Sequence, residues 1–336
     1  MMNDYLDIFV GTDRSQLLAV AVLEYSIKRH TRSKVRVCPL IDLDLPEPKD
    51  IRQGSRTNFS FARFAIPEIK GYQGKGLYLD ADMLVFRDVA ELWSYSFNGA
   101  KIIIQGDLAP HVTTSNKVGA PARRKKQCSV MLIDCGAVTW RATDIIAGLD
   151  NRYTYDQLMS EMCILNEEDV SYSLPFEWNS LEFYNDNTCL IHYTDMHTQP
   201  WVSAENGNGF LWLSELRRML DEGALSWSML HTEIDRGYFR PSLIDELNDP
   251  EALEGWSETR ALRSTAIDAK AGFVKHAEVY ARKKARAAAI KAFEKEAAAK
   301  DQRTSAAARS SAKAPLASKP LSKKQPDIAV AAIATA

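Results

Sequence analysis

The sequence offers little for covalent or metal cross-linking by thiols. Its five cysteines, Cys38, Cys128, Cys135, Cys163 and Cys189, are odd in number and widely spaced, and no Cys-x-x-Cys occurs. That argues against a disulfide framework or a zinc knuckle and makes reduced thiols the default. Long apolar runs are also missing: none approaches the ~18 residues a membrane-crossing helix needs. The opening Met1-Met2-Asn3-Asp4-Tyr5-Leu6-Asp7 has neither the basic segment nor the apolar stretch of a secretory signal. No internal repeat is visible. A soluble, cytoplasmic chain is the expectation.

What is present is enough for a folded body. The chain has 336 residues, 46% of them hydrophobic, which supports a sizeable core. Its net charge of −2 conceals an asymmetry. Fifteen Lys/Arg against six Asp/Glu from Ala266 onward give +9, so the rest carries −11 of that total. An acidic body with a basic tail is expected: residues 1–260 as one domain, 266–302 as an Ala/Lys-rich helix, 303–336 as a disordered low-complexity tail. The tail either tethers the protein to an acidic partner or anionic surface, or does nothing specific.

Leu6 to Val10 reads as a strand, Gly11-Thr12-Asp13 as a turn, Ser15 as an N-cap and Leu17 to Ile27 as a helix. Val35 to Leu40 is the next strand, completing a βαβ opening. Asn58 to Ile69 reads as helical until Pro67 ends or kinks it. Later strands are expected at Lys101–Ile104, Ser129–Ile133 and Thr188–Thr194. Helices are expected at Tyr155–Leu165, Gly209–Leu220, Ser226–Arg236 and Ala269–Lys300. Leu174 to Asn179 reads as a shaped loop, and Pro241 to Ile244 as the last short element of the body.

The chemistry concentrates at Gly76-Leu77-Tyr78-Leu79-Asp80-Ala81-Asp82. A buried strand ending in Asp-x-Asp puts carboxylates at the carboxyl edge of an α/β sheet, where ligands of open sheets bind. Asp80 and Asp82 share a side, with Ala81 facing away. Two carboxylates that close repel unless a cation separates them or one is protonated. Oxygen ligands suit Mn²⁺ or Mg²⁺, whose shells admit a substrate phosphate. A metal–diphosphate site is one reading; a solvated turn after a core strand is the other. Arg63, polar within an aromatic stretch, is either a phosphate clamp or a structural partner for a carboxylate. Asp13 is either a contact for a base or ribose, or a turn aspartate. His192 near a strand end is either a third metal ligand or a hydrogen-bonded structural residue. The stretch Asp107 to Lys126, ending Arg123-Arg124-Lys125-Lys126, is either a closing loop or a solvated charge run.

Taken together, three pieces resemble glycosyltransferase family 8, which includes glycogenin and bacterial lipopolysaccharide galactosyl- and glucosyltransferases. They are Tyr78-Leu79-Asp80-Ala81-Asp82-Met83-Leu84-Val85, then His192-Tyr193 with Pro200-Trp201, and Phe9-Val10-Gly11-Thr12-Asp13 with its helix. The resemblance runs from about Tyr5 to Trp201. It implies an α/β GT-A (Rossmann-like) fold with a mostly parallel sheet, and transfer of a hexose from a nucleotide sugar, usually UDP-linked, with retention. It implies Mn²⁺ (or Mg²⁺) held by Asp80, Asp82 and His192. Donor contacts are implied for Gly11, Thr12, Asp13, Arg63, Asp80, Ala81, Asp82 and Gln199. The acidic group Glu167, Glu168 and Asp169 falls where the family carries a cluster beside the sugar, and supplies the catalytic candidates. Implied partners are the donor and a saccharide, lipid-linked or protein acceptor, such as a cell-surface glycan or lipopolysaccharide. Nucleic acid is not among them, and contact with a membrane is peripheral, through the basic tail. Two departures stand out: Gln199 where the family has a diphosphate-binding lysine, and Gln127-Cys128-Ser129 where it has Asn-(Ala/Ser)-Gly. The rivals are a haloacid-dehalogenase-type phosphatase and a non-catalytic nucleotide-binding module. The phosphatase motif lies near the N-terminus and continues with Thr or Val where this chain has Met83.

Overall fold

A strand buried on both faces has to be apolar at successive positions, and Leu77-Tyr78-Leu79, Ile102-Ile103-Ile104 and Val130 to Ile133 all meet that demand at 0% exposure. In the computed structural model, which describes residues 5–57, 59–106, 108 and 125–311, they form the middle of the main sheet. Its strands are β1 (Tyr5–Gly11), β2 (Lys34–Leu40), β3 (Lys75–Asp80), β5 (Ile102–Gln105), β6 (Gln127–Asp134) and β7 (Val170–Leu174), in the order β2-β1-β3-β6-β5-β7. The β2–β1, β1–β3 and β5–β7 pairs are parallel. β6 runs against both β3 and β5. A smaller sheet joins β4 (Met83–Val85), β9 (Leu190–His192) and β8 (Ser180–Leu181).

Helix α1 (Leu17–His30) packs on one face, where Ile8, Val10, Leu77 and Leu79 meet Val20, Leu23 and Ile27. The opposite face holds Phe9, Tyr78 and Met131 under α4 (Ala142–Gly148) and α5 (Tyr155–Glu161). Two short helices, α2 (Ile66–Ile69) and α3 (Val89–Trp93), flank β3 and β4. A third core lies under α6 (Gly209–Asp221), α7 (Trp227–Asp235) and α8 (Leu243–Leu247), where the rings of Trp201, Trp212 and Phe239 pack at centroid distances of 5.6–6.4 Å. Each such ring pair adds roughly 0.5–1.5 kcal/mol beyond its burial. Then come α9 (Pro250–Glu254), α10 (Glu258–Lys270) and α11 (Ala277–Ser311). The chain divides into a compact unit up to Ala287 and a second unit from Ala288.

Several local expectations change. Ser15 is not the N-cap of α1; Asp13 instead accepts from Ser15 N at 3.0 Å and caps a 3-10 turn, Arg14–Gln16. Pro67 opens α2 rather than ending a longer helix, because its fixed φ suits a first turn. β7 occupies Val170–Leu174, which sequence periodicity left unassigned. Four helices, α8 to α11, follow Pro241, so the element there is not the last before the Ala/Lys-rich helix. Asn58, Arg123, Arg124 and everything beyond Ser311 lie outside the described residues.

Candidate active site

Alternation along β3 sends Tyr78 to one face and Leu77 and Leu79 to the other, and Asp80 follows Tyr78. The Tyr78 hydroxyl donates to Asp80 Oδ1 at 2.6 Å. Behind it sits Arg63, 7% exposed, donating Nη2 to the Tyr78 hydroxyl at 3.1 Å and Nη1 to the Cys128 carbonyl at 2.7 Å. Its Nη2 also stands 3.7 Å from Asp80 Oδ1. These contacts place Asp80. Gly11 pairs with Asp80 across the β1–β3 register, and a Cβ there would stand 2.2 Å from the Tyr78 oxygen. Glycine at that position clears room for the hydroxyl that reaches Asp80.

Asp82 and His192 meet through the small sheet. Met83 pairs with His192, and Tyr193 N donates to Asp82 O at 2.8 Å. Asp80, Asp82 and His192 each offer a ligand atom within 4.8 Å of the others. His192 Nε2 is 3.1 Å from Asp82 Oδ1 and 3.9 Å from Asp80 Oδ2. Its Nδ1 is 3.0 Å from Asn179 Oδ1, and Asn179 Nδ2 donates to Gln105 Oε1 at 2.6 Å. The network favours a hydrogen on Nδ1 and turns Nε2 toward the two carboxylates. Two carboxylates this close repel unless a proton or a cation sits between them. Asp82 Oδ1 is buried and forms no hydrogen bond. Two carboxylates and an oriented imidazole fit a divalent cation, and Asn179 supplies the outer support that fixes the ring.

The remaining candidates separate. Gln199, 1% exposed, donates Nε2 to Asp82 Oδ2 at 2.8 Å and to the Tyr193 carbonyl at 3.1 Å, while its Oε1 has no partner. Thr12 donates to the Asp13 carbonyl, and Asp13 serves the turn described above. Asp13, Ala81 and Gln199 line one cleft of about 90 Å³ with Asp80 and Asp82. Glu167, Glu168 and Asp169 form a 3-10 turn before β7. Glu167 pairs with Lys126 and Tyr172, and Asp169 with Lys101, which holds both carboxyls below their usual range. None of these described contacts reaches Asp80, Asp82 or His192.

Sequence reasoning passed over three residues here. Asn179, in the 3-10 turn Phe176–Asn179, and Gln105, at the end of β5, carry no signal until the chain folds. Glu182, at a left-handed φ of 55°, accepts from Asp195 N and Asn206 Nδ2. Burial pushes its carboxyl up, with Asp82 adding to the shift.

The family model for glycosyl transferase family 8 matches residues 27–131, the stretch that holds Arg63, Asp80 and Asp82. Protein CDI of Arabidopsis thaliana is 31% identical over 226 residues, which span 62% of this chain and 85% of that protein. The chain belongs to glycosyltransferase family 8. Its α/β sheet ending in Asp-x-Asp is the GT-A arrangement of that family. Among solved structures it is similar to the glycosyltransferase GlyE of Streptococcus pneumoniae TIGR4, at 19% identity over 71% of this chain, with a TM-score of 0.46. It is also similar to WbbM, a bifunctional glycosyltransferase, at 13% identity over 64% of this chain, with a TM-score of 0.42. The chain spans 65% of the former's length and 50% of the latter's. His192 and Gln199 lie beyond the residues the family 8 model matches. No helix among the described residues is long and apolar enough to cross a membrane.

Proposed function

We propose that this family 8 member transfers a hexose from a nucleoside diphosphate sugar, with UDP as the nucleotide, to an acceptor hydroxyl with retention of configuration. Asp80, Asp82 and His192 would hold Mn²⁺ or Mg²⁺. A cation bound there would neutralise the charge that grows on the departing nucleoside diphosphate. The observation that carries this reading is the convergence of Asp80, Asp82 and His192, each with a ligand atom within 4.8 Å of the others and His192 Nε2 turned toward both carboxylates.

The chain's own residues do the positioning. Tyr78 and Arg63 fix Asp80, Gln199 fixes Asp82, and Asn179 fixes the His192 ring. Gln199 is neutral, so it adds no positive charge against a diphosphate. With Asp80 and Asp82 engaged as ligands, the acidic turn Glu167–Asp169 is the catalytic candidate, beside a front-face displacement that needs no covalent nucleophile. The acceptor is a saccharide, lipid-linked or protein hydroxyl.

A thermal-shift panel of nucleotide sugars with and without Mn²⁺ tests the proposal. The expected result is stabilisation by one donor, dependent on metal, with slow release of the nucleoside diphosphate, both lost in Asp82→Ala while the fold is kept. Hydrolysis of a phosphomonoester with no response to any nucleotide sugar would overturn it in favour of phosphatase chemistry at Asp80.

A further inference from the structure

The cleft at the candidate metal ligands is short of positive charge. Asp13, Asp80 and Asp82 all line it, and among the described residues no lysine or arginine does. A divalent cation would do no more than offset its two carboxylate ligands, so a diphosphate beside it would still lack a charged donor. The nearby arginines are engaged elsewhere. Arg63 sits behind Asp80, bonded to the Tyr78 hydroxyl and the Cys128 carbonyl. Arg56, next to Thr57 of the cleft wall, pairs with Asp156.

A free cation approaches from α11. Val279, in its first turn, lines the cleft, and Lys283 stands one turn further along the same face. The Lys283 side chain is exposed. Its Nζ lies 3.8 Å from Met196 Sδ, and Met196 is itself a lining residue of the cleft. The same nitrogen is 5.3 Å from the centre of the Tyr280 ring. No carboxylate pairs with it among the described residues. A thioether and an exposed ring are weak partners for an ammonium, so the long stem can swing at little cost. His276, just before the helix, reports how near the charges lie. Burial pushes its imidazole down, Asp13 and Asp82 pull it up, and Lys283 adds to the lowering.

The start of α11 is fastened to both walls of the cleft. On one side Lys275 Nζ reaches the His197 carbonyl, Ser203 Oγ and Glu205 Oε2 at 2.8–3.0 Å, and the Tyr280 ring stacks on His197. His197 follows Met196 in the loop after β9. On the other side Arg286 Nη2 donates to the Arg52 carbonyl at 2.8 Å, on the segment that leads to Thr57. Lys283 lies between these attachments, so the helix holds its ammonium beside the opening.

We infer that Lys283 swings from Met196 to bind the phosphates of the donor, which makes the start of α11 part of the active site rather than a solvated appendage. This rests on the donor reading above. Gln199 is neutral and bonded to Asp82, so the charge comes instead from a helix well outside residues 27–131, which the family model matches.

Calorimetric titration of the full chain tests the inference, first with Mn²⁺ alone and then, in Mn²⁺, with UDP, GDP, ADP, CDP and inorganic diphosphate. The expected result is that Lys283→Ala weakens inorganic diphosphate, and whichever nucleotide binds, by about tenfold or more at low salt. Affinity for Mn²⁺ itself stays unchanged. The gap from wild type narrows as ionic strength rises, because an exposed ammonium is screened. Lys284→Ala removes the same charge from the neighbouring exposed position and has no such effect. Unchanged affinity in Lys283→Ala, an equal loss in Lys284→Ala, a gap that persists at high salt, or a loss of Mn²⁺ affinity overturns the inference and leaves the donor reading standing. A wild-type chain that binds none of the four nucleotides removes the donor reading itself, and the inference with it.

Discussion

The molecule holds two buried polar clusters, and they are finished to different degrees. In the first, Arg240 donates Nε to the Pro200 carbonyl, Nη1 to Ser242 Oγ and Glu246 Oε1, and Nη2 to Glu246 Oε2. Asp268 accepts from Ser242 N and Oγ. Every named charged atom there has a partner. In the second, around Asp80, Asp82 and His192, the atoms Asp82 Oδ1, Gln199 Oε1 and Gln105 Nε2 have none. Leaving a buried polar atom unpaired costs about 1–3 kcal/mol, so the second cluster reads as a binding site and the first as a brace. The brace also serves the site. Arg240 N donates to the Trp201 carbonyl, so the guanidinium and its backbone together anchor the loop after β9 that carries Gln199.

The largest effect expected from breaking this contrast comes from Arg240→Ala. Removing one partner of a buried pair strands the Glu246 carboxylate and should cost about 3–5 kcal/mol, read by urea unfolding; a loss below about 1 kcal/mol would mean the brace is dispensable. Next comes Asn179→Ala. With the His192 ring no longer held, Mn²⁺ affinity should fall about 10–100-fold by titration, and an unchanged affinity would detach Asn179 from the site. The smallest effect concerns pH. Burial raises the Glu182 carboxyl, so the folded state binds its proton more readily than the unfolded chain does. Wild type should therefore gain stability relative to Glu182→Gln as pH falls toward and below the ordinary value of 4.5. Its advantage should shrink as pH rises through the elevated folded value. Melting temperatures of both proteins across pH 4–8, with the opposite trend, would reverse the assignment.

The parts of the site that sequence made legible are those where chemistry restricts residue type. Two carboxylates after an apolar strand, and a histidine at a later strand end, stand out in sequence as residues able to hold a divalent ion, and the fold brings them together. Gln199 was visible only as a departure from a lysine; its grip on Asp82 appears when the loop after β9 folds back. Asn179 and Gln105 are ordinary amides in sequence, and their roles arise when the 3-10 turn Phe176–Asn179, the end of β5 and the end of β9 come together in the fold. β7 escaped notice because Ser171, Tyr172 and Ser173 give an edge strand no apolar signature. Pro67 was read as a terminator because helix interiors exclude proline, a rule that does not hold for the first turn. The start of α11 looked like a solvated Ala/Lys helix, and only its contacts reveal Val279 as a wall of the metal cleft and Lys283 as its neighbour.

The register between β4 and β9 has a consequence for biogenesis. Met83 and His192 are far apart in the chain yet directly opposed across two strands, and slow, non-local pairings of this kind form late in folding. A nascent or truncated chain lacking β9 would carry both aspartates and still have no grip on an ion. Sliding β9 by a single residue would turn the imidazole to the other face of its sheet. Affinity for manganese would then report whether the two halves of the small sheet have joined in the right alignment, making the ion a sensor of completed assembly.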